Sequence, residues 1–328
     1  MPTNLPPEYF EAEKRFRQAQ SPAEKISCLE DLISTVPKHK GTDKLRADLR
    51  RQLSRLKQDG QSKKKHGTHH SAFYIDKEGA GQVMVLGAAN VGKSSLVAAL
   101  TNAEPEISPA PYTTWKPTPG MMMIENIQVQ LIDTPPLDRE FIEPILFDLI
   151  RRSDLILLIV DLQADPLGQL DYVINQLKEH RIIPLSSQDR LEHQERVSVI
   201  PLIILANKCD DKSMDETFDI FCELFEGECP VLPVSAATGR NFDALKTRVY
   251  QELDIIRVYA KPPWQEADLE KPFVLKKGST VTEFAEKVHR DFSENLKSAR
   301  VWGSSQFEGQ MVQRDYELQD GDIVELKT

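Results

Sequence analysis

The sequence predicts an α/β protein built around a mostly parallel sheet with helices on both faces. The stretches QVMVLG (82–87), IQVQLID (127–133) and LILLIVD (155–161) are predominantly apolar, and helical patterns separate them. Strands of this kind are typical of parallel sheets that are covered on both faces. VIPLIILANK (199–208) and CPVLPVSA (229–236) continue the pattern, so residues 80–252 are predicted to form one domain.

The amino-terminal residues 1–62 are predicted to form a helical region. SPAEKISCLEDLI (21–33) places a serine at the N-cap, a proline at the first helical position and a glutamate three residues after the cap. TDKLRADLRRQLSRL (42–56) carries a leucine on every turn of a second helix. The two apolar stripes consist of Ile26, Leu29, Leu32 and Ile33, and of Leu45, Leu49, Leu53 and Leu56.

The charge is uneven along the chain. The net charge of −10 does not suggest a general nucleic-acid binder. Residues 37–65, however, hold eleven Lys and Arg against three Asp. The net charge is therefore +8 for this segment and −18 for the rest of the chain. The basic helix face is consistent with RNA contact and equally with simple solvation. Residues 63–79 are interpreted as a basic linker, whose histidines (66, 69 and 70) suit a solvated loop better than a metal site.

Cysteine usage and hydropathy bear on the cellular setting. Four scattered cysteines without C-x-x-C spacing predict reduced, buried thiols in the cytoplasm and no zinc site. The longest apolar run, residues 155–160, is too short to cross a bilayer, so no membrane partner is expected.

After residue 254 the pattern changes to a small α+β domain of strands around one helix. Strands are predicted at IIRVYAK (255–261), PFVLKKG (272–278), SARVWG (298–303) and DIVELKT (322–328). The helix is predicted at TVTEFAEKVHRDF (280–292). The predicted domain therefore covers residues 254–328.

A phosphate-binding loop follows the first predicted strand. GAANVGKSS (87–95) matches G-x-x-x-x-G-K-[ST] in the required strand–loop–helix context. Its glycines let backbone N–H groups surround phosphates, Lys93 would reach the β- and γ-phosphates, and Ser94 would bind Mg²⁺. The helix that follows adds its N-terminal dipole. The predicted phosphate-binding residues are Gly87, Asn90, Val91, Gly92, Lys93, Ser94 and Ser95.

A second motif predicts recognition of guanine. Asn207, Lys208 and Asp210 form N-K-x-D at the end of a predicted strand, about 115 residues after the phosphate loop. A carboxylate there can accept both N–H groups on the N1/N2 edge of guanine, and adenine offers no such pair. Ser235, Ala236 and Ala237 are predicted to form the last loop that contacts the base.

These motifs, in this order, resemble those of translation-factor-type GTPases. APYTTWKPTPGMM (110–122) resembles the first switch of the Obg and developmentally regulated GTP-binding protein (DRG) families. The resemblance implies that Thr114 closes on Mg²⁺ when the γ-phosphate is present, and that Asp133 holds Mg²⁺ through water. The implied catalytic set is Lys93, Asn90, Thr114 and Asp133, and the implied ligands are GTP or GDP with Mg²⁺.

The segment DTPPLDRE (133–140) departs from the D-x-x-G pattern of these families. Pro136 replaces the glycine whose N–H binds the γ-phosphate, and proline has no N–H. Leu137 occupies the place of the glutamine that orients water in Ras-like enzymes. We therefore expect slow hydrolysis. Asn90 resembles the asparagine of potassium-activated GTPases, which suggests K⁺, although a polar loop residue is the alternative.

The last 75 residues resemble the TGS domain of the DRG family, a β-grasp module. The resemblance rests on Tyr-x-Lys-Pro (259–262), Ala-x-Val-Trp-Gly (299–303) and Asp-Gly-Asp-x-Val (320–324). It implies docking to RNA or the ribosome, or to a protein partner. The chain is thus identified as a DRG-like GTPase with a role in translation. The alternative is a guanine-nucleotide switch or docking module with negligible hydrolysis.

Overall fold

The computed structural model describes residues 74–102, 116–139, 141–186 and 197–327, together with residues 28, 29, 32, 33, 35, 36 and 49. The chain divides into two compact units, Met1–Tyr74 and Ile75–Thr328. In the first unit the described residues are helical except for Val36 and Tyr74. Leu29, Leu32 and Leu49 are buried, as the predicted apolar stripes require. The basic face of 37–65 and the linker histidines lie outside the described residues.

A six-stranded sheet forms the core of the second unit, in the order β2-β3-β1-β4-β7-β8. Only β2 runs antiparallel to its neighbour. The elements are β1 (Gln82–Gly87), α1 (Lys93–Leu100), β2 (Thr118–Ile124), β3 (Ile127–Asp133), α2 (Pro144–Arg151), β4 (Leu155–Asp161), α3 (Pro166–Glu179), β5 (Ile182–Pro184), β6 (Ser198–Ile200), β7 (Leu202–Asn207), a 3-10 turn (Lys212–Met214), α4 (Asp215–Leu224), β8 (Val231–Pro233) and α5 (Phe242–Glu252).

Burial explains why the central strands are mostly apolar. Every residue of β1, β4 and β7 is buried, because helices cover both faces of the sheet. The α/β fold with a mostly parallel sheet is confirmed. Since β1, β3, β4 and β7 are parallel, their carboxyl ends meet at one edge, where the loops of a nucleotide site belong.

Two strand details differ from the sequence prediction. Strand β2 was not predicted, because Pro119 and Gly120 suggest a loop; both are tolerated here since β2 lies at the sheet edge. The single strand predicted over residues 199–208 is wrong. Pro201 separates β6, which pairs with β5 in a small sheet of its own, from β7 in the main sheet.

The carboxy-terminal region forms a five-stranded sheet in the order β10-β9-β13-β11-β12. Phe284, which is fully buried, packs between the helix and this sheet. The single helix predicted over residues 280–292 is wrong, because extended backbone at His289 divides it. The elements are β9 (Ile255–Ala260), β10 (Phe273–Lys276), α6 (Val281–Val288), α7 (Arg290–Asn295), β11 (Ser298–Trp302), β12 (Gln310–Val312) and β13 (Asp322–Lys327).

Polar contacts join the region around the six-stranded sheet to the carboxy-terminal region. The Tyr250 hydroxyl donates to Asp320 Oδ1 (2.6 Å), and Asn126 Nδ2 at the β2–β3 turn donates to the Tyr259 hydroxyl (2.9 Å). Arg257 pairs with Asp320 and with the carboxylate of Glu125. Burial acts to raise the pKa of the Asp320 carboxyl, but hydrogen bonds from Arg257 and Tyr250 hold it below its usual range.

All four cysteines are free thiols. The prediction that they are buried is wrong for three of them, since only Cys209 is fully buried and the others are partly exposed. Among the described helices, none is both long enough and apolar enough to span a bilayer.

Candidate guanine-nucleotide site

The loop between β1 and α1 has the backbone that its glycines predict. Gly87 lies so close to β4 that a Cβ atom would sit 2.5 Å from the Ile159 carbonyl oxygen. Gly92 has φ of +96° and Asn90 has φ of +61°, both in the left-handed region. Asparagine tolerates that region better than most residues, so the backbone alone accounts for Asn90. The Asn90 side chain is exposed at the rim of the loop.

Lys93 begins α1 and is buried, with 5% of its surface exposed. Its Nζ donates to the carbonyl oxygen of Ala88 at 2.5 Å, within the same loop. Burial lowers the pKa of Lys93 to about 8, against the raising effect of the nearby Asp133 and Asp138 carboxylates. The ammonium is thus held inside the loop that it would share with a phosphate.

Ser94 and Asp133 form a pair beside the loop. The Ser94 hydroxyl donates to Asp133 Oδ2 at 2.6 Å. Asp133 is fully buried, and burial raises the pKa of its carboxyl. Within the described part of the chain, its Oδ1 atom has no hydrogen-bond partner. A buried carboxylate oxygen without a partner next to a hydroxyl is suited to a divalent cation or its water.

Asn207 ties the phosphate loop to the N-K-x-D loop. Its Nδ2 donates to the Val91 carbonyl (2.7 Å), and its Oδ1 accepts from the Ala236 N–H (3.0 Å). A Cβ atom at Gly92 would lie 2.3 Å from Asn207 Nδ2, so a side chain there would displace the amide. One buried amide therefore connects all three loops that the motifs predict.

Lys208 and Asp210 form hydrogen bonds with different partners. Lys208, with φ of +65°, donates through Nζ to Asp161 Oδ2 at 2.5 Å. Asp210 is exposed, and its Oδ1 accepts from the Ser235 hydroxyl at 2.6 Å. One carboxylate face of Asp210 is thus fixed by the loop that carries Ala236. This geometry leaves a fixed carboxylate available to a base.

The segment after β3 lies against the phosphate loop. The peptide bonds of Pro135 and Pro136 are trans, and Leu137 is fully buried. The Leu137 N–H donates to the Gly87 carbonyl at 3.2 Å. Both carboxylate oxygens of Asp138 lie 3.1 Å from the Ala89 nitrogen, which donates to them.

Most predicted site residues converge at this edge of the sheet, but two contributors were missed. Asp161 lies at the end of a predicted strand, and in the structure it pairs in register with Asn207. Its position at a strand end could therefore have indicated that it belongs to the site. Asp138 carried no sequence signal. Ala237 is exposed next to Ala236, and Ser95 lies in the first turn of α1. Thr114 lies outside the described residues, so its role stays a prediction.

A phosphate loop and an N-K-x-D loop tied together at the carboxyl edge of a parallel sheet define a P-loop GTPase fold. Residues 82–208 match the family described as 50S ribosome-binding GTPase. Residues 256–328 match the TGS domain. The chain therefore combines a P-loop GTPase fold with a carboxy-terminal TGS domain.

Curated relatives extend the similarity over nearly the whole chain. An uncharacterized GTP-binding protein of Methanocaldococcus jannaschii is 28% identical over 360 aligned positions, covering 92% of each chain. Developmentally-regulated GTP-binding protein 1 of Xenopus laevis is 27% identical and covers 88% of this chain and 92% of its own. The solved YchF GTPase of Schizosaccharomyces pombe aligns with a TM-score of 0.52 at 13% identity, over 77% of this chain and all of that one. That last likeness supports the fold alone.

Proposed function

We propose that this chain is an Obg/DRG-type GTPase that binds GTP and GDP with Mg²⁺ and hydrolyses GTP slowly. The observation that carries the proposal is the Asn207 amide, which joins the phosphate loop to the loops expected around guanine. We place the GTPase domain at residues 80–252 and the TGS domain at 254–328, after a helical region (1–62) and a basic linker (63–79). The four free thiols favour a cytoplasmic protein.

Each loop has a role in the proposed complex. Backbone N–H groups of the phosphate loop and Lys93 would hold the phosphates, and Asp210 would accept from the N1/N2 edge of guanine. The Ala236 N–H already donates to Asn207, so this loop is oriented before any base arrives. The residues proposed to contact the nucleotide are Gly87, Asn90, Val91, Gly92, Lys93, Ser94, Ser95, Asn207, Lys208, Asp210, Ser235, Ala236 and Ala237.

The residues around Asp133 fit a Mg²⁺ ion. Oxygen ligands are what Mg²⁺ prefers, and the partnerless Asp133 Oδ1 lies on the carboxylate that Ser94 also contacts. Mg²⁺, when bound, would neutralise charge on the β- and γ-phosphates. Thr114 is proposed as a further ligand on the strength of the sequence resemblance alone.

Hydrolysis is the attack of water on the γ-phosphorus with cleavage of its bond to the β–γ bridging oxygen, which yields GDP and phosphate. Lys93 is placed to stabilise charge on the leaving side. Leu137 is buried and has no group that can orient the water. Hydrolysis by the isolated protein should therefore be slow, unless K⁺ at the exposed Asn90 adds positive charge beside the phosphates.

Turnover of GTP in KCl against NaCl, with Mg²⁺ present, tests this proposal. A cation-activated GTPase would be supported by potassium stimulation that is lost in Asn90→Ala but kept in Asn102→Ala. Asn102 serves as the control because it is an exposed asparagine beyond α1. Turnover with the same rate in both salts would remove K⁺ from the proposal.

A switch with negligible turnover is the second candidate. It is favoured by Pro136, which lacks an N–H, and by the Leu137 N–H, which already bonds to Gly87. Near-zero turnover in both salts, with guanine nucleotide still bound, would support it over the enzyme.

We further propose that the protein acts in translation by contacting ribosomal RNA through the TGS domain and the basic residues 37–65. The family described as 50S ribosome-binding GTPase and the TGS match support this partner. Phosphate contacts weaken steeply with salt. Binding to ribosomal RNA should therefore fall by about a thousand-fold between 50 and 200 mM salt if some six phosphates are contacted. Salt-independent binding would instead favour a protein partner for the TGS domain.

A further inference from the structure

The segment after β3 is attached to the phosphate loop at two points. The first is the backbone bond from the Leu137 N–H to the Gly87 carbonyl (3.2 Å). The second joins a side chain to the loop, because the Ala89 N–H donates to both oxygens of the Asp138 carboxylate at 3.1 Å. A donor of the phosphate loop is therefore occupied by a carboxylate of the protein itself.

A carboxylate and a phosphate compete for the same N–H group. Both are anions with oxygen acceptors, and loop N–H groups bind such anions in preference to neutral groups. Close approach of a second anion would also be opposed by charge repulsion. It is therefore energetically unfavourable for Asp138 and a phosphate oxygen to accept from the Ala89 N–H at the same time.

The position of Asp138 indicates which phosphate it opposes. It follows Asp133 by five residues, in the segment whose D-x-x-G pattern places the third residue after the aspartate next to the γ-phosphate. It also lies near Lys93, which reaches the β- and γ-phosphates in this motif. GDP lacks the γ-phosphate, so it should leave the Asp138 contact less disturbed than GTP does.

We propose that Asp138 is an internal competitor of the γ-phosphate and distinguishes GTP from GDP by repulsion. The D-x-x-G glycine makes this distinction by attraction through its N–H, and Pro136 cannot. GTP expels Asp138 from the Ala89 N–H and releases the segment that follows, whereas GDP leaves the contact in place. The inference rests on the proposed function, since it requires guanine nucleotide in the phosphate loop.

Calorimetric titration of GDP and of guanylyl imidodiphosphate, a non-hydrolysable GTP analogue, tests the proposal on the full chain with Mg²⁺. Asp138→Ala removes the competitor, so its affinity for the analogue should rise about ten-fold, the size expected for a hydrogen bond to a charged group. Its affinity for GDP should change by less than about two-fold. Asp138→Asn keeps an oxygen acceptor without the charge, so it should give a smaller rise of the same kind.

Asp148→Ala is the matched control, because Asp148 is an exposed carboxylate of α2 that pairs with Arg151 on the same helix. It should leave both affinities unchanged. The proposal is overturned if Asp138→Ala changes the affinities for both nucleotides equally, changes neither affinity, or lowers the affinity for the analogue. If the unaltered protein binds neither nucleotide, the proposed function fails together with this inference.

Discussion

The site has two parts that are built differently: a base side around Asn207, Lys208 and Asp210, and a γ-phosphate side around Asp133, Pro136 and Asp138. On the base side, polar side chains are held in place by bonds within the protein: Asn207 by Val91 and Ala236, Lys208 by Asp161, and Asp210 by Ser235. On the γ-phosphate side the groups expected to meet the ligand have no partner, are missing, or are engaged elsewhere. Asp133 Oδ1 has no partner among the described residues, Pro136 has no N–H, and the Ala89 N–H is taken by Asp138.

This difference means that the two sides should respond differently to a nucleotide. The base side needs little rearrangement to accept guanine, because its side chains already hold one orientation. The γ-phosphate side must give up an internal contact first. Substitutions on the base side should therefore lower the affinities for GTP and GDP alike. Substitutions on the γ-phosphate side should change the affinity for GTP relative to that for GDP.

The largest effect is expected from Asp210→Ala. It removes a carboxylate that would accept two hydrogen bonds from guanine, each bond to a charged group contributing about 1.5–3 kcal/mol. The affinities for GTP and GDP should both fall about a hundred-fold or more, as measured by calorimetry. Asp211→Ala is the control, because the Asp211 carboxylate caps the 3-10 turn by accepting from Ser213. A loss confined to GTP would break the distinction between the two sides.

A smaller loss is expected from Asn207→Ala. The substitution leaves the Val91 carbonyl and the Ala236 N–H without their partner, at about 1 kcal/mol for each lost bond. Both nucleotides should bind about thirty-fold more weakly, and Asn102→Ala should bind normally. Unchanged binding in Asn207→Ala would show that this amide does not organise the site.

Leu137→Gln tests whether the missing glutamine alone explains slow hydrolysis. Because Leu137 is fully buried, an amide there should lower the free energy of unfolding by about 2 kcal/mol. It should not raise turnover, since its side chain would lie inside the core and not beside the phosphates. Thermal melting and GTP turnover measure the two effects, with Leu137→Met as the size-matched control. Rapid hydrolysis in Leu137→Gln would contradict the buried placement.

The smallest effect is expected from Pro136→Gly, which restores an N–H on the γ-phosphate side. The preference for GTP analogue over GDP should rise by about five-fold, the value of one modest hydrogen bond. Pro135→Gly provides the control at the neighbouring position. An equal shift in both variants would mean that chain flexibility, and not the N–H, is responsible.

The parts of the site that are contiguous in sequence could be predicted from it. Gly87 to Ser95 and the N-K-x-D residues carry their chemistry in short motifs, and the apolar strands set the sheet. The contacts that depend on tertiary register could not be predicted. The bond from Asn207 to Val91 spans 116 residues, and the Asp138 contact spans 49. The helix break at His289 was hidden because its neighbours on both sides favour helix.

The central claim is that the base side is ready for guanine while the γ-phosphate side is occupied by Asp138. The most direct test is calorimetric titration of the unaltered protein with GDP, guanylyl imidodiphosphate and ADP in Mg²⁺. The account predicts that GDP binds more tightly than the GTP analogue and that ADP does not bind measurably. Tighter binding of the analogue than of GDP, or ADP binding equal to that of GDP, would contradict it.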